Sequence, residues 1–231
     1  MDNLFGDLRL GTLRFAPRTT RRRTRATALQ AAGEYTGRWG WSVVVGTPAP
    51  DRSPADARCG CAAPHCAAPG LHTVVGPEVP AGAAVHELRG PCAAGAPLLL
   101  PAGRHFDVLD VPAQPGLQAL VRLERMGTQV GPVLASPAGR LLFFVAPGTA
   151  ERLPELLYRM GWDDASLDLA CHGRGSYVAA PPTVLGGLGP MRWLRGPSRE
   201  SAACPPEARL LLGTLAYACH RTRTRTPELA S

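Results

Sequence analysis

Apolar and polar positions follow two rhythms in the second half of the chain, from residue 97 onward. Leu153, Leu156, Leu157 and Met160 recur at the spacing of one helix face, which predicts a helix capped by Thr149. Shorter apolar runs between turn residues predict strands. The predicted strands are 98–101, 106–111, 132–136, 140–145, 166–172, 177–180 and 191–194, and two more helices are predicted at 115–127 and 206–219.

The chain before residue 97 is less regular. Helical spacing of apolar residues predicts one helix over 27–38, and 41–45 predicts a short buried strand. Residues 1–26 and 46–96 show no sustained hydrophobic period, so we expect a flexible extension and a long loop region. The pattern therefore predicts one α+β domain over 27–220, followed by a basic tail at 221–231.

Composition supports a folded domain. The 231 residues are 45% hydrophobic, which is enough for a core and excludes gross disorder. No apolar run approaches the roughly 20 residues that span a bilayer, and the first residues lack the apolar core of a secretory leader. We therefore expect a cytoplasmic protein. The basic residues are all Arg, and Ala, Gly and Pro are abundant, which suggests a GC-rich bacterial genome.

The net charge of +7 is concentrated near the two ends of the chain. Arg-rich segments of this kind bind phosphate backbones by releasing counterions, without reading sequence. A solvated tail with no partner is the alternative, because the first segment carries no aromatic side chain for base stacking after Phe15. The Arg residues expected to contact nucleic acid are Arg18, Arg21, Arg22, Arg23 and Arg25, and a second run is Arg221, Arg223 and Arg225.

A cysteine cluster within the loop region indicates a structural zinc site. Cys59, Cys61 and Cys66 are followed by His72, and three thiolates with one imidazole form a standard tetrahedral set for Zn²⁺. His65 is an alternative fourth ligand, but it directly precedes Cys66. Free thiols are the other interpretation, since disulfides are rare in a reducing cytosol.

Five motifs occur in an order that resembles one protein family. They are EYTGRWGW at 34–41, PGLH at 69–72, FDVLDV at 106–111, SLDL at 166–169 and GSYVAAPPT at 175–183. Together they resemble the N-terminal domain of bifunctional DNA primase/polymerase proteins, the prim-pol branch of the archaeo-eukaryotic primase superfamily. The resemblance implies a mixed sheet packed with helices, related to RNA-recognition folds, with a zinc knuckle inserted.

The resemblance also implies a site for divalent metal and a nucleoside triphosphate. The family's catalytic acids fall on Asp110 and Asp168, and two such carboxylates can hold one Mg²⁺ or Mn²⁺. Arg140 matches the place of the nucleotide-contacting strand and can fork two donors onto phosphate oxygens. Tyr177 is a candidate for stacking on a base, and His172 for metal ligation. Ordinary roles stay open for all of them: a turn acid, a salt bridge, a core tyrosine, a surface histidine.

Two departures from the family pattern concern catalysis. The family's Asp-x-Asp pair reads Asp110-Val111-Pro112 here, so one carboxylate is missing, and Asp107 should face the other side of the strand. The family's Ser-x-His motif is replaced at Gly139-Arg140-Leu141. A two-metal polymerase needs several carboxylates on one face. These departures predict weakened or lost catalysis in a retained fold.

Three functions remain as hypotheses. The first is a prim-pol-like protein that binds nucleic acid, expected to be DNA, and nucleotides, with primase catalysis weakened or lost. The second is an active DNA primase/polymerase with a reduced metal site. The third is a non-catalytic module that regulates or binds a protein partner, or a domain held only by zinc.

Overall fold

The computed structural model describes residues 27–46, 78–88, 97–162, 166–185 and 188–225. The cysteine cluster and the first Arg run lie outside these residues, so both stay predictions. Within the described parts, no helix is long and apolar enough to cross a membrane.

The described chain contains both helices and strands. Helix α1 covers 27–33 and continues into a π-helical turn at Glu34–Arg38. The strands are β1 (Val43–Val45), β2 (Glu78–Val79), β3 (Leu98–Pro101), β4 (Asp107–Pro112), β5 (Val133–Ser136), β6 (Arg140–Val145), β7 (Ala170–His172), β8 (Tyr177–Ala180), β9 (Val184–Leu185), β10 (Gly189–Pro190) and β11 (Arg192–Arg195). The other helices are α2 (Val85–Leu88), α3 (Ala113–Arg125), α4 (Thr149–Arg159), α5 (Arg199–Ala203) and α6 (Arg209–Arg225).

The larger sheet has the strand order β11-β5-β6-β4-β7. Its chain order β4-α3-β5-β6-α4-β7 is a β-α-β-β-α-β arrangement, in which β4 lies between β6 and β7. Every described pairing in this sheet is antiparallel, so the predicted mixed sheet is wrong in this respect. The α+β class is confirmed.

The two faces of this sheet enter different cores, because side chains alternate along each strand. Leu109, Leu141 and Phe143 point toward α3 and α6, where they join a cluster that includes Leu211, Leu212 and Leu215. Val108, Leu142 and Phe144 point the other way, into the core shared with the smaller sheet. The sheet is therefore covered by helices on one face and by the second sheet on the other.

The smaller sheet has the order β2-β1-β3-β8 and is also antiparallel. An aromatic cluster joins it to the larger sheet: the ring centroids of Trp41 and Phe144 are 5.6 Å apart, and those of Phe106 and Phe144 are 4.5 Å apart. Two buried polar groups of this cluster, which also includes Tyr35, bond to distant carbonyls. The hydroxyl of Tyr35 donates to the carbonyl of Pro181 at 2.6 Å, and the indole N–H of Trp41 donates to that of Ala202 at 3.1 Å.

The segment GSYVAAPPT at 175–183 forms the outer strand of the smaller sheet and the turn that follows it. Its residues Tyr177–Ala180 form β8 against β3, and the Pro181–Pro182 peptide bond is cis. The hydroxyl of Thr183 then accepts from the Leu98 N–H at 2.8 Å and donates to the Leu98 carbonyl at 3.2 Å. This segment therefore fixes the end of β8 against the start of β3.

Candidate functional site

Strand β4 carries a carboxylate on each face of the larger sheet. Asp110 lies opposite Leu142 of β6, and Asp107 lies opposite Val145. Because the two acids are three positions apart along the strand, they point to opposite faces. The prediction that Asp107 faces the other side of the strand from Asp110 is confirmed.

The Asp107 side chain lies on the face of the sheet that is covered by helices. Its side chain is 1% exposed, and Oδ2 accepts from the N–H of Ala150 at 2.7 Å, in the first turn of α4. The residue before this helix is Gly148, which has no side chain to cap it, so Asp107 supplies the acceptor from a neighbouring strand. Burial raises the pKa of Asp107, and the N–H groups of the helix offset this only in part.

Asp110 lies on the face toward the smaller sheet and uses both carboxylate oxygens. Oδ1 accepts from Nε of Arg140 at 2.7 Å, and Oδ2 lies 2.9 Å from Nε2 of His172. The Asp110 side chain is 17% exposed. Burial alone would raise the pKa of Asp110, but the hydrogen bonds from His172 and Arg140 outweigh it and hold the pKa below its ordinary value.

Arg140 connects Asp110 to the second predicted acid. Its Nη1 donates to both carboxylate oxygens of Asp168, at 2.7 and 2.8 Å, while its Nε holds Asp110. Burial opposes the charge of Arg140, yet the bonds to the two carboxylates raise its pKa above the ordinary value. One guanidinium therefore lies between two carboxylates and is hydrogen-bonded to both.

Asp168 is positioned differently from the prediction. Strand β7 begins only at Ala170, so Asp168 lies in a bend before it and its side chain is 66% exposed. The residue directly opposite Asp110 is Ala170, which has no ligand atom in its side chain. The expected strand over 166–172 is thus shorter at its start.

The acidic residues do not fit the divalent metal ions that the family resemblance implies. Both oxygens of Asp110 and both of Asp168 already have protein partners. Where a second carboxylate would follow Asp110, β4 has Pro112. Among the described residues, no three His, Cys, Asp or Glu side chains converge as a metal-binding group.

A cleft of about 390 Å³ lies at another place, where the β3–β4 connection meets the β7–β8 turn. Its charged and aromatic lining residues are Glu78, Arg104, Arg174 and Tyr177. Tyr177 is 37% exposed, so it is not the core tyrosine that its strand pattern allowed. The sequence reasoning missed Arg174, although its place between Gly173 and Gly175 marks an exposed turn.

The structure thus brings together Asp110, Asp168, Arg140 and His172, which we call the Asp110 cluster. Tyr177 lines the cleft, whose lining includes no member of that cluster. The predicted zinc ligands and the residues Arg18–Arg25 are outside the described residues.

A model of the family described as bifunctional DNA primase/polymerase, N-terminal, matches residues 32–207, which is most of the chain. The chain therefore belongs to the bifunctional DNA primase/polymerase N-terminal family. Searches of characterised proteins and of solved structures each returned no match.

Proposed function

We propose that this prim-pol domain binds nucleic acid and nucleotides while its primase/polymerase catalysis is weakened or lost. Family membership supports the nucleic-acid and nucleotide part. One observation carries the catalytic part: the Arg140 guanidinium lies between Asp110 and Asp168 and is hydrogen-bonded to both.

Both the charge around the two acids and the ligand atoms near them disfavour catalysis with two metal ions. Phosphoryl transfer with two metal ions needs several carboxylates whose oxygens face the ions. Here one positive charge of the protein already balances part of the two negative charges, and Ala170 and Pro112 stand where further carboxylates would help. A Mg²⁺ or Mn²⁺ ion on Asp110 requires Arg140 to turn away first.

The remaining predicted groups complete the proposal. Cys59, Cys61, Cys66 and His72 would hold a structural zinc ion, and Arg18, Arg21, Arg22, Arg23 and Arg25 would contact the phosphate backbone of a nucleic acid. Arg140 is proposed for nucleotide contact only in a state in which it has left the acids. Tyr177 is proposed for contact with a base.

The experiment combines two assays on the full chain. Fluorescence anisotropy with labelled single-stranded DNA should show binding that weakens as salt is raised, because phosphate contacts release counterions. Primer extension with nucleoside triphosphates and Mn²⁺ should give incorporation that is absent or far below that of an active family member. A chain lacking residues 1–26 is the control for the Arg segment.

The two assays separate the competing functions. Efficient incorporation that disappears in Asp110→Ala would replace our proposal with an active primase/polymerase. Neither binding nor incorporation would favour a module that acts through a protein partner.

A further inference from the structure

The cleft beside β8 has the size and the lining of a small-molecule binding site. It occupies about 390 Å³ and lies between the β3–β4 connection at Pro101–Arg104 and the β7–β8 turn at Arg174–Tyr177. That volume is within the range of about 300–1,000 Å³ that small-molecule pockets occupy. It is large enough for one nucleotide.

The turn that forms one wall is held from two sides. A Cβ at Gly103 would lie 2.4 Å from the Arg174 Cα, and a Cβ at Gly173 would lie 2.5 Å from that of Ala150. Inside the wall, the Ser176 N–H donates to the Gly173 carbonyl at 2.9 Å, and the Ala102 N–H donates to the Ser176 carbonyl at 3.0 Å. Close backbone packing and these hydrogen bonds fix the direction in which Arg174 leaves the turn.

The charges of the cleft do not cancel. Arg104 is paired with Glu78 across the cleft. Arg174 is exposed, and among the residues that the structure describes it has no carboxylate partner. The lining therefore carries one uncompensated guanidinium, a group whose forked N–H donors match phosphate oxygens.

An aromatic surface lies in the same cleft. Tyr177 is 37% exposed at the start of β8 and follows Ser176, the last residue of the turn. An exposed tyrosine ring near a cation offers a stacking surface for a base, since every base has a π face.

We propose that this cleft binds one nucleotide unit, with its phosphate on Arg174 and its base against Tyr177. The proposal rests on the proposed function and deepens it, because it moves nucleotide recognition from Arg140 to a second place. None of the Asp110 cluster lines this cleft. The nucleotide unit can come from a free nucleoside monophosphate or from a single-stranded nucleic acid.

The test compares Arg174→Gln and Tyr177→Leu with the full wild-type chain, by calorimetry with a nucleoside monophosphate and by anisotropy with a short single-stranded oligonucleotide. Each variant should weaken binding by about tenfold or more, as expected for the loss of a charged phosphate contact or of base stacking. Tyr177→Phe should bind like wild type, because it keeps the ring. Arg125→Gln is the matched control, since Arg125 is an exposed arginine of α3 outside the cleft.

The outcomes are distinguishable. Weakened binding of the free nucleotide, of the oligonucleotide or of both supports the proposal and identifies the source. If wild type binds, and Arg174→Gln and Tyr177→Leu bind as well as Arg125→Gln, the cleft is not the site, although the proposed function survives. If wild type binds neither probe, both proposals are overturned.

Discussion

Asp107 and Asp110 occupy the same strand, three residues apart, and the sheet face decides the role of each. On the helix-covered face Asp107 is fully buried and accepts a backbone N–H of α4. On the other face Asp110 contacts Arg140 and His172 near solvent. Burial raises the pKa of Asp107, whereas at Asp110 the hydrogen bonds from His172 and Arg140 outweigh burial and lower the pKa.

The difference shows that one strand can carry a structural carboxylate on one face and a partly exposed, ionised carboxylate on the other. On one face, the Asp107 carboxylate is buried and holds the start of α4. The Asp110 face keeps a partly exposed ionised group, but Arg140 balances its charge. Variants on the Asp107 face should therefore change folding stability, whereas variants on the Asp110 face should change cation binding as well as stability.

The largest effect is expected from Asp107→Ala. It removes the acceptor for the Ala150 N–H and should lower the free energy of unfolding by about 1–3 kcal/mol, measured by urea denaturation. Asp107→Asn keeps one carbonyl oxygen at this place and should cost less. Equal stability of wild type and Asp107→Ala would show that the helix does not depend on this cap.

This cap also marks a limit of the sequence analysis. The apolar spacing predicted α4 at Thr149–Arg159 well, but it assigned the cap to Thr149, whose hydroxyl instead donates to the Ala146 carbonyl at 2.7 Å. The actual acceptor is 43 residues away. The spacing of apolar residues shows which side of a helix is buried. It contains no information about a capping group that comes from a distant strand.

The candidate site shows the same division. Alternation along 106–111 correctly separated Asp107 from Asp110, and the resemblance indicated Arg140 and Asp168. Nothing in the sequence indicated that Arg140 would join the two acids, because that depends on the pairing of β4 with β6 and on the bend at Asp168.

The end of helix α6 also differs from the prediction. The helix continues to Arg225, six residues beyond the predicted end at 219, because its apolar pattern stops before the helical backbone does.

Arg140→Gln is expected to have the next largest effect. Asp110 would keep only His172 as a side-chain partner and is partly exposed, so we expect a smaller loss of about 1–2 kcal/mol in the free energy of unfolding at neutral pH. Arg159→Gln is the matched control, because it breaks an exposed i, i+4 pair with Glu155 worth about 0.5 kcal/mol or less. Equal costs for the two variants would contradict a structural role for the bridge.

The pH dependence of stability should differ in sign between the two acids. The lowered pKa of Asp110 stabilises the fold above the unfolded value of 3.8, and this contribution is lost as pH falls through the folded value. The raised pKa of Asp107 acts oppositely, because stability falls as pH rises from 3.8 through its folded value. Urea unfolding at a series of acidic pH values should therefore show less acid sensitivity in Asp110→Asn and more in Asp107→Asn. The same slope change in both variants would contradict the assignment.

The smallest effect is expected from Asp168→Asn. This carboxylate is 66% exposed, and exposed ion pairs contribute about 0–1 kcal/mol. The melting temperatures of wild type and Asp168→Asn should therefore be similar. Added salt should weaken the ion pair in wild type and make the two melting temperatures more similar still. A large loss of stability would mean that Asp168 is held more firmly than its exposure indicates.

The most direct test of the account is Mn²⁺ binding to the Asp110 cluster, measured by electron paramagnetic resonance on protein first saturated with Zn²⁺. Wild type should bind Mn²⁺ weakly. Arg140→Gln should bind Mn²⁺ at least about tenfold more tightly, because the two carboxylates lose the guanidinium that balances their charge. The double variant with Asp110→Asn should lose this gain in affinity. Tight Mn²⁺ binding by wild type that is lost in Asp110→Asn and not improved in Arg140→Gln would contradict the claim that Arg140 takes the place of a metal ion between these acids.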